Sequence, residues 1–123
     1  MATVADLLSA NLHRVFANRD ESSRQAAIRD VYAEDVEFSD PEEVVTGWAA
    51  LGAKAGDLLG RVPDTYVFEE DSPKYVGPDF GALAWAFGPA GAPVVRGIDV
   101  ITVRDGRITT VRTVFVEGQP TPG

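Results

Sequence analysis

The chain has 123 residues, 45% of them hydrophobic, which is enough for one domain with a sizeable core and too little for two. Eleven Lys and Arg against 19 Asp and Glu leave a net charge of −8, a field that repels phosphate backbones and anionic lipid, so neither nucleic acid nor a membrane is an expected partner. Cysteine is absent and His13 is the one histidine, which excludes disulfides, thiolate chemistry and multi-histidine metal sites; no metal or cofactor is expected. No apolar run reaches membrane-spanning length and the first residues lack the build of a signal peptide, so a cytoplasmic location is the default expectation.

Val4, Leu8, Leu12 and Val15/Phe16 recur at helical steps, which predicts a first helix with Leu12 pointing into the core and His13 on the opposite, solvent face. Ser22 followed by Gln25 has the spacing of a capping box and predicts the start of a second helix, with Ile28, Val31 and Tyr32 as its apolar stripe. Residues 36–40 alternate with period two, so a strand is expected to end near Pro41 and to aim Asp40 inward with Val36 and Phe38. Thr46 is placed to cap a third helix carrying Trp48, Leu51, Ala55 and Leu58/Leu59, which four glycines between 47 and 60 weaken. Strands are then expected over 66–71, 75–76, 82–87, 94–104 and 107–117, with a fraying tail at 118–123.

Asp105-Gly106 between two β-rich runs predicts a two-residue type I′ hairpin. In an unbroken ladder Arg104 faces Arg107, and every later pair follows, so that Asp99 stands opposite Arg112 on the face of Val95, Gly97 and Ile101. Both faces of that hairpin are apolar, so both are expected to be covered, and a carboxylate there must be paired, neutral or facing a cavity. Seven acids without a base lie between residues 30 and 43, but without the glycine-containing spacing of a calcium loop they read as a solvated edge.

The order of these elements, together with Tyr32-Ala33-Glu34-Asp35, Ser39-Asp40-Pro41, Gly97-Ile98-Asp99 and Asp105-Gly106-Arg107-Ile108, resembles the NTF2-like superfamily, and within it the ketosteroid-isomerase and SnoaL-like polyketide-cyclase branch. The resemblance covers residues 5–117. It implies an α+β, cone-shaped (cystatin-like) fold: N-terminal helices packed on a strongly curved antiparallel or mixed sheet, one apolar pocket between them, and a homodimer formed through the sheet. It also implies that carboxyls at the positions of Asp40 and Asp99 serve as base or as hydrogen-bond donor to an oxyanion in the isomerases, and that the one at Asp99 is the acid/base in the cyclases. The isomerases' oxyanion tyrosine on the first helix has no counterpart, since Leu12 stands there. Limonene-epoxide-hydrolase relatives use an Asp-Arg-Asp set, which Asp99, Arg112 and Asp40 could imitate.

The resulting expectation is a small cofactor-independent isomerase, cyclase or lyase acting on an apolar cyclic or polyketide-like molecule. Asp99, Asp40 and Arg112 are its candidate catalytic residues, and Leu12, Phe16, Tyr32, Trp48, Trp85, Ile101 and Val114 its candidate pocket walls. A non-catalytic binding or dimerisation module, with Asp99–Arg112 as a structural ion pair, is the alternative, and epoxide hydrolysis a second one.

Overall fold

The computed structural model describes residues 1–117; the tail expected to fray lies outside the described residues. Helix α1 (Val4–Ala10) starts at a capping box the sequence reading did not single out: Thr3 Oγ1 accepts from the Asp6 N–H, and Asp6 Oδ2 accepts from the Thr3 N–H, both at 3.1 Å. It runs directly into a π-helical stretch (Asn11–Phe16). Asn11, Leu12, Val15 and Phe16 of that stretch are all buried.

Helix α2 (Glu21–Val31) is capped by Asp20, whose carboxylate accepts from the Ser23 N–H at 2.9 Å, so the expected cap at Ser22 is corrected by two residues. Its apolar stripe ends at Val31. Tyr32 has already turned to extended backbone (φ −110°, ψ 148°) and opens strand β1 (Tyr32–Ser39). A short strand β2 (Val44–Thr46), not foreseen, pairs back on β1 and absorbs Thr46, so the cap of helix α3 (Trp48–Arg61) is Gly47 at φ 93°. Leu51, Ala55 and Leu59 recur every four residues and bury one face of α3 despite its glycines.

Strands β3 (Tyr66–Glu70), β4 (Tyr75–Val76), β5 (Phe80–Pro89), β6 (Val95–Arg104) and β7 (Arg107–Phe115) follow the expected order. They join β1 and β2 in one seven-stranded sheet, ordered β2-β1-β7-β6-β5-β3 with β4 paired to β5. Every pairing is antiparallel except β1 with β7, so the sheet is mixed and the fold is α+β, three helical segments on one face of a curved sheet. The core between the layers centres on Leu8, Leu12, Ile28, Val36, Leu51, Leu83, Ile101 and Val111.

Asp105 (φ 53°) and Gly106 (φ 75°) form the two-residue turn with both residues left-handed, and Arg104 faces Arg107 as the sequence implies. The ladder then breaks. Val103 pairs with Ile108 but Thr102 pairs with Thr110, leaving Thr109 as an extra residue in β7. Thr102 Oγ1 lies 2.8 Å from Thr109 Oγ1 and 2.6 Å from Thr110 Oγ1, so the threonine doublet holds the bulge in place. Every pair beyond it is shifted by one: Asp99 stands opposite Thr113, and Arg112 stands opposite Val100.

The bulge also decides what the outer face carries. Ile98, Val100 and Val114 are 42%, 36% and 52% exposed there beside Arg96 and Arg112, so within this single chain only the inner face of the hairpin is covered. No described helix is long and apolar enough to cross a membrane.

Candidate functional site

A pocket opens between the inner face of the sheet, the π-helical stretch and α3. Its floor is Asp99, 7% exposed on β6. Trp85 on β5 pairs with Gly97, and a Cβ added at Gly97 would fall 2.5 Å from the indole Cζ2. The glycine therefore lets the indole lie across the strand, and Trp85 Nε1 donates to Asp99 Oδ1 at 3.0 Å. Thr113, directly across the ladder, donates from Oγ1 to the same oxygen at 2.7 Å. Asn11 Nδ2 donates to Oδ2 at 2.8 Å, and the amide is held that way round because its Oδ1 accepts from the Tyr32 hydroxyl.

All three donors to Asp99 are neutral. Burial pushes its carboxyl above the ordinary value of 3.8, and the hydrogen bonds from Thr113, Trp85 and Asn11 offset that only in part. The Tyr32 phenol is pushed well above its usual range, first by burial and then by the negative charge Asp99 can carry. Tyr32 therefore stays a hydrogen-bond donor at any ordinary pH.

The walls are apolar and largely aromatic. Leu12 and Phe16 descend from the π-helical stretch, Phe38 from β1, Phe68 from β3, Phe115 from β7 and Leu58 from α3. Phe16 and Phe38 lie 5.3 Å apart on one side, while Trp85 makes edge contacts to Phe68 at 5.5 Å and Phe115 at 6.1 Å on the other. The space between them is about 790 Å³ counting the open mouth and the solvent in it.

The mouth is polar. Asp40, one residue past the end of β1, accepts from the Glu42 and Glu43 N–H groups at 2.9 and 3.0 Å through Oδ1, the loop that Pro41 sets up. Its Oδ2 meets Lys54 Nζ at 2.7 Å, and the same ammonium reaches Glu43 at 2.9 Å and lies 5.5 Å from the centre of the Phe38 ring. Burial alone would raise the Asp40 carboxyl, but Lys54 and the two backbone donors outweigh it and hold it below the ordinary value. The two pocket acids are thus pushed in opposite directions, the one at the floor toward the protonated form and the one at the mouth toward the carboxylate.

Of the residues singled out in the sequence, Asp99, Asp40, Leu12, Phe16 and Trp85 line this pocket. Arg112 does not: the bulge turns it to the exposed outer face, and the expected Asp99–Arg112 pair is replaced by Asp99–Thr113. Val114 is on the outer face for the same reason. Ile101 is fully buried in the core beside Leu83, and Tyr32 is fully buried behind Asn11, one hydrogen bond removed from the floor. Trp48 faces the groove between α2 and α3, where its Nε1 donates to the Tyr32 carbonyl at 3.0 Å and Arg29 covers its ring. His13 is exposed and meets Glu70 at 2.7 Å.

The sequence reading missed Asn11, Thr113, Lys54, Phe38, Phe68 and Phe115. Asn11 carried a signal, being a polar residue one step from Leu12 on a helix that otherwise buries apolar groups. Thr113 carried none without knowledge of the bulge.

A family model described as a SnoaL-like domain matches residues 10–111. No curated protein matches significantly. Among solved structures, a SnoaL-like family protein from Agrobacterium tumefaciens, provisionally named an isomerase, superposes with a TM-score of 0.84 at 21% identity, over 92% of this chain and 97% of that one. A provisionally named ketosteroid isomerase from Kribbella flavida gives 0.69 at 20% identity, covering 95% and 81% of the two chains. A provisionally named polyketide cyclase from Sinorhizobium meliloti gives 0.69 at 18% identity, covering 88% and 93%. At such identities the superpositions establish a shared fold and carry no activity across. The family match spans most of the chain, and the chain accordingly belongs to the SnoaL-like family.

Proposed function

We propose that the protein is a cofactor-independent enzyme in which Asp99 moves a proton as general acid/base on an apolar cyclic or polyketide-like carbonyl compound. The observation that carries this reading is a buried carboxyl at the floor of an aromatic pocket, held by three neutral donors with no cation among them. Such a group has a raised pKa, which brings it toward the pH at which it can both give and accept a proton.

The geometry assigns the oxygens different work. Oδ1 accepts from both Trp85 and Thr113, whereas Oδ2 accepts only from Asn11 and keeps acceptor capacity for a substrate proton. In an isomerisation, Oδ2 takes a proton from the carbon next to the carbonyl, an enolate forms, and the same proton returns to another carbon of the conjugated system. In a ring closure, the carboxylic acid donates that proton to the oxygen of the carbonyl under attack. The mouth pair Asp40–Lys54 is already internally neutralised and offers the lysine as a hydrogen-bond donor to a polar group at the outer end of the substrate.

An Asp-Arg-Asp mechanism is not part of this proposal, because Arg112 is on the far side of the sheet. A binding module without catalysis is the second reading, favoured by the three side chains, Trp85, Thr113 and Asn11, that already donate to Asp99 as they would to a carboxyl kept for structure. In either case we propose a homodimer through the outer face carrying Ile98, Val100 and Val114, which supplies apolar area otherwise left in water.

The test is turnover of a panel of cyclic β,γ-unsaturated ketones and polyketide-like aldol substrates by the wild type and Asp99→Asn, with binding of the same compounds measured alongside. Turnover lost in the variant by roughly 10²-fold or more, with binding retained, supports the enzyme. Binding of panel members without turnover in either protein supports the binding module.

A further inference from the structure

The mouth of the Asp99 pocket carries a charge pattern that the proton chemistry at its floor does not use. Lys54, Asp57, Leu58 and Arg61 recur along α3 at steps of three and four residues, so they share one face, and all four line the pocket. Asp40, Glu42 and Glu43 line it from the loop after β1, where the hydrogen bonds from the Glu42 and Glu43 N–H groups to Asp40 Oδ1 curl the chain beside the opening. Four acids thus stand at the mouth with two bases.

Neither base is left uncompensated for an incoming anion. Lys54 Nζ is already divided between Asp40 at 2.7 Å and Glu43 at 2.9 Å, so that group keeps one negative charge. Arg61 stands four residues from Asp57 on the same helix face, the spacing at which opposite charges offset each other. Glu42 adds a second negative charge, and Glu42, Glu43 and Asp57 are all exposed at the rim. This surplus has the sign of the chain's net −8, so the field of the whole molecule reinforces it. The apolar walls of Phe16, Phe38, Phe68 and Phe115 behind the rim are of low dielectric and concentrate that field in the opening.

An apolar molecule that enters lays its rings among these walls and leaves its polar end at the rim. A carboxylate or phosphate there is repelled, an uncharged oxygen or amide is not, and an ammonium is attracted. We propose that the acidic rim, through Glu42, Glu43 and Asp57, restricts the pocket to molecules without negative charge at their outer end, so that its substrates are neutral esters, amides or alcohols rather than free acids or phosphate-bearing conjugates. This specificity rests on the reading of the Asp99 pocket as a substrate site and adds the class of substrate it takes.

The test follows the Trp85 Nε1–H resonance, a reporter at the pocket floor, in 1H–15N spectra of the full chain at neutral pH. Separate titrations use 2-naphthamide, sodium 2-naphthoate and naphthalen-2-ylmethylammonium chloride, which share one ring system and differ in the charge of the end group. The expected result at low ionic strength is a saturating shift with the amide, ammonium binding at least as tight, and naphthoate binding at least about fivefold weaker, a gap that closes as salt is raised toward ~1 M. The double variant Glu42→Gln with Asp57→Asn is expected to bring naphthoate to within about twofold of the amide while leaving the amide's affinity unchanged. Naphthoate binding as tight as the amide in the wild type overturns the filter. A gap that neither salt nor the double variant narrows also overturns it, because the cause is then steric. The expected charge order without turnover of any carbonyl substrate supports the filter and counts against the enzyme reading alone, whereas a resonance that none of the three probes moves removes the pocket as a ligand site and the filter with it.

Discussion

Asp99 and Thr113 face each other across the β6–β7 ladder because one residue, Thr109, is bulged out between them and the hairpin turn. That shift turns an expected ion pair into a carboxyl held by neutral donors. It also sends Arg112 to the other face of the sheet.

Thr113→Val removes the 2.7 Å hydrogen bond to Asp99 Oδ1 while keeping shape, so it is expected to raise the Asp99 pKa further and to cost about 1–3 kcal/mol of stability. Arg112→Ala is expected to leave that pKa unchanged. Carboxyl-carbon NMR titration of the two variants checks both, and a larger effect at Arg112 than at Thr113 means the unbulged register holds in solution.

Asn11 joins the Tyr32 hydroxyl to the carboxyl, and both ends are buried. Asn11→Leu strands the phenol without an acceptor and removes a donor from Asp99. We expect a loss of about 1–3 kcal/mol in urea unfolding, together with a higher Asp99 pKa. Tyr32→Phe in the Asn11→Leu background should then restore part of the stability, because the stranded group is gone.

Gly97→Ala sets a methyl 2.5 Å from the Trp85 indole and 2.6 Å from the Val114 carbonyl. The indole must move off the strand, and with it the donor to Asp99. The expected cost is about 1–3 kcal/mol, and tryptophan fluorescence should shift as Nε1 loses its partner. A variant with wild-type stability and emission means that the close approach of strand and indole is absent in solution.

The two pocket acids give opposite pH dependences. Asp40 is held below its ordinary value, so its contribution to stability is present above about pH 4 and is lost as pH falls through the lowered pKa. Asp99 is raised, so its contribution is present below 3.8 and is lost as pH rises through the raised pKa. Asp40→Asn should flatten the acid side of the stability profile, and Asp99→Asn should remove a decline above it. Denaturant midpoints across that range measure both slopes.

The fold was legible because its elements are locally determined. The helical steps from Val4 to Phe16, the alternation through Phe38 and the Asp105-Gly106 turn each follow from nearest neighbours along the chain. Asp99 was legible too, as a carboxylate in an apolar strand. What surrounds it was not, because one inserted residue flips every later side chain to the opposite face, and nothing in Thr109-Thr110 announces whether the doublet lies in register or bulges. Lys54 escaped notice for another reason: it meets Asp40 only through the packing of α3 on β1, a contact between residues far apart in sequence. Asn11 lies at helical spacing from Leu8 and Val15, so its burial follows from the count, but its partner Asp99 is 88 residues away and is set by packing alone.

The Asp99 pKa measured by carboxyl-carbon NMR, with Asp99→Asn to assign the resonance, tests the central claim most directly. A buried acid among neutral donors titrates above the ordinary 3.8, and the signal moves further up in Thr113→Val. Titration below 3.8 contradicts the account, since it means that the hydrogen bonds from Thr113, Trp85 and Asn11 outweigh burial and hold Asp99 as a carboxylate, which removes it as a general acid.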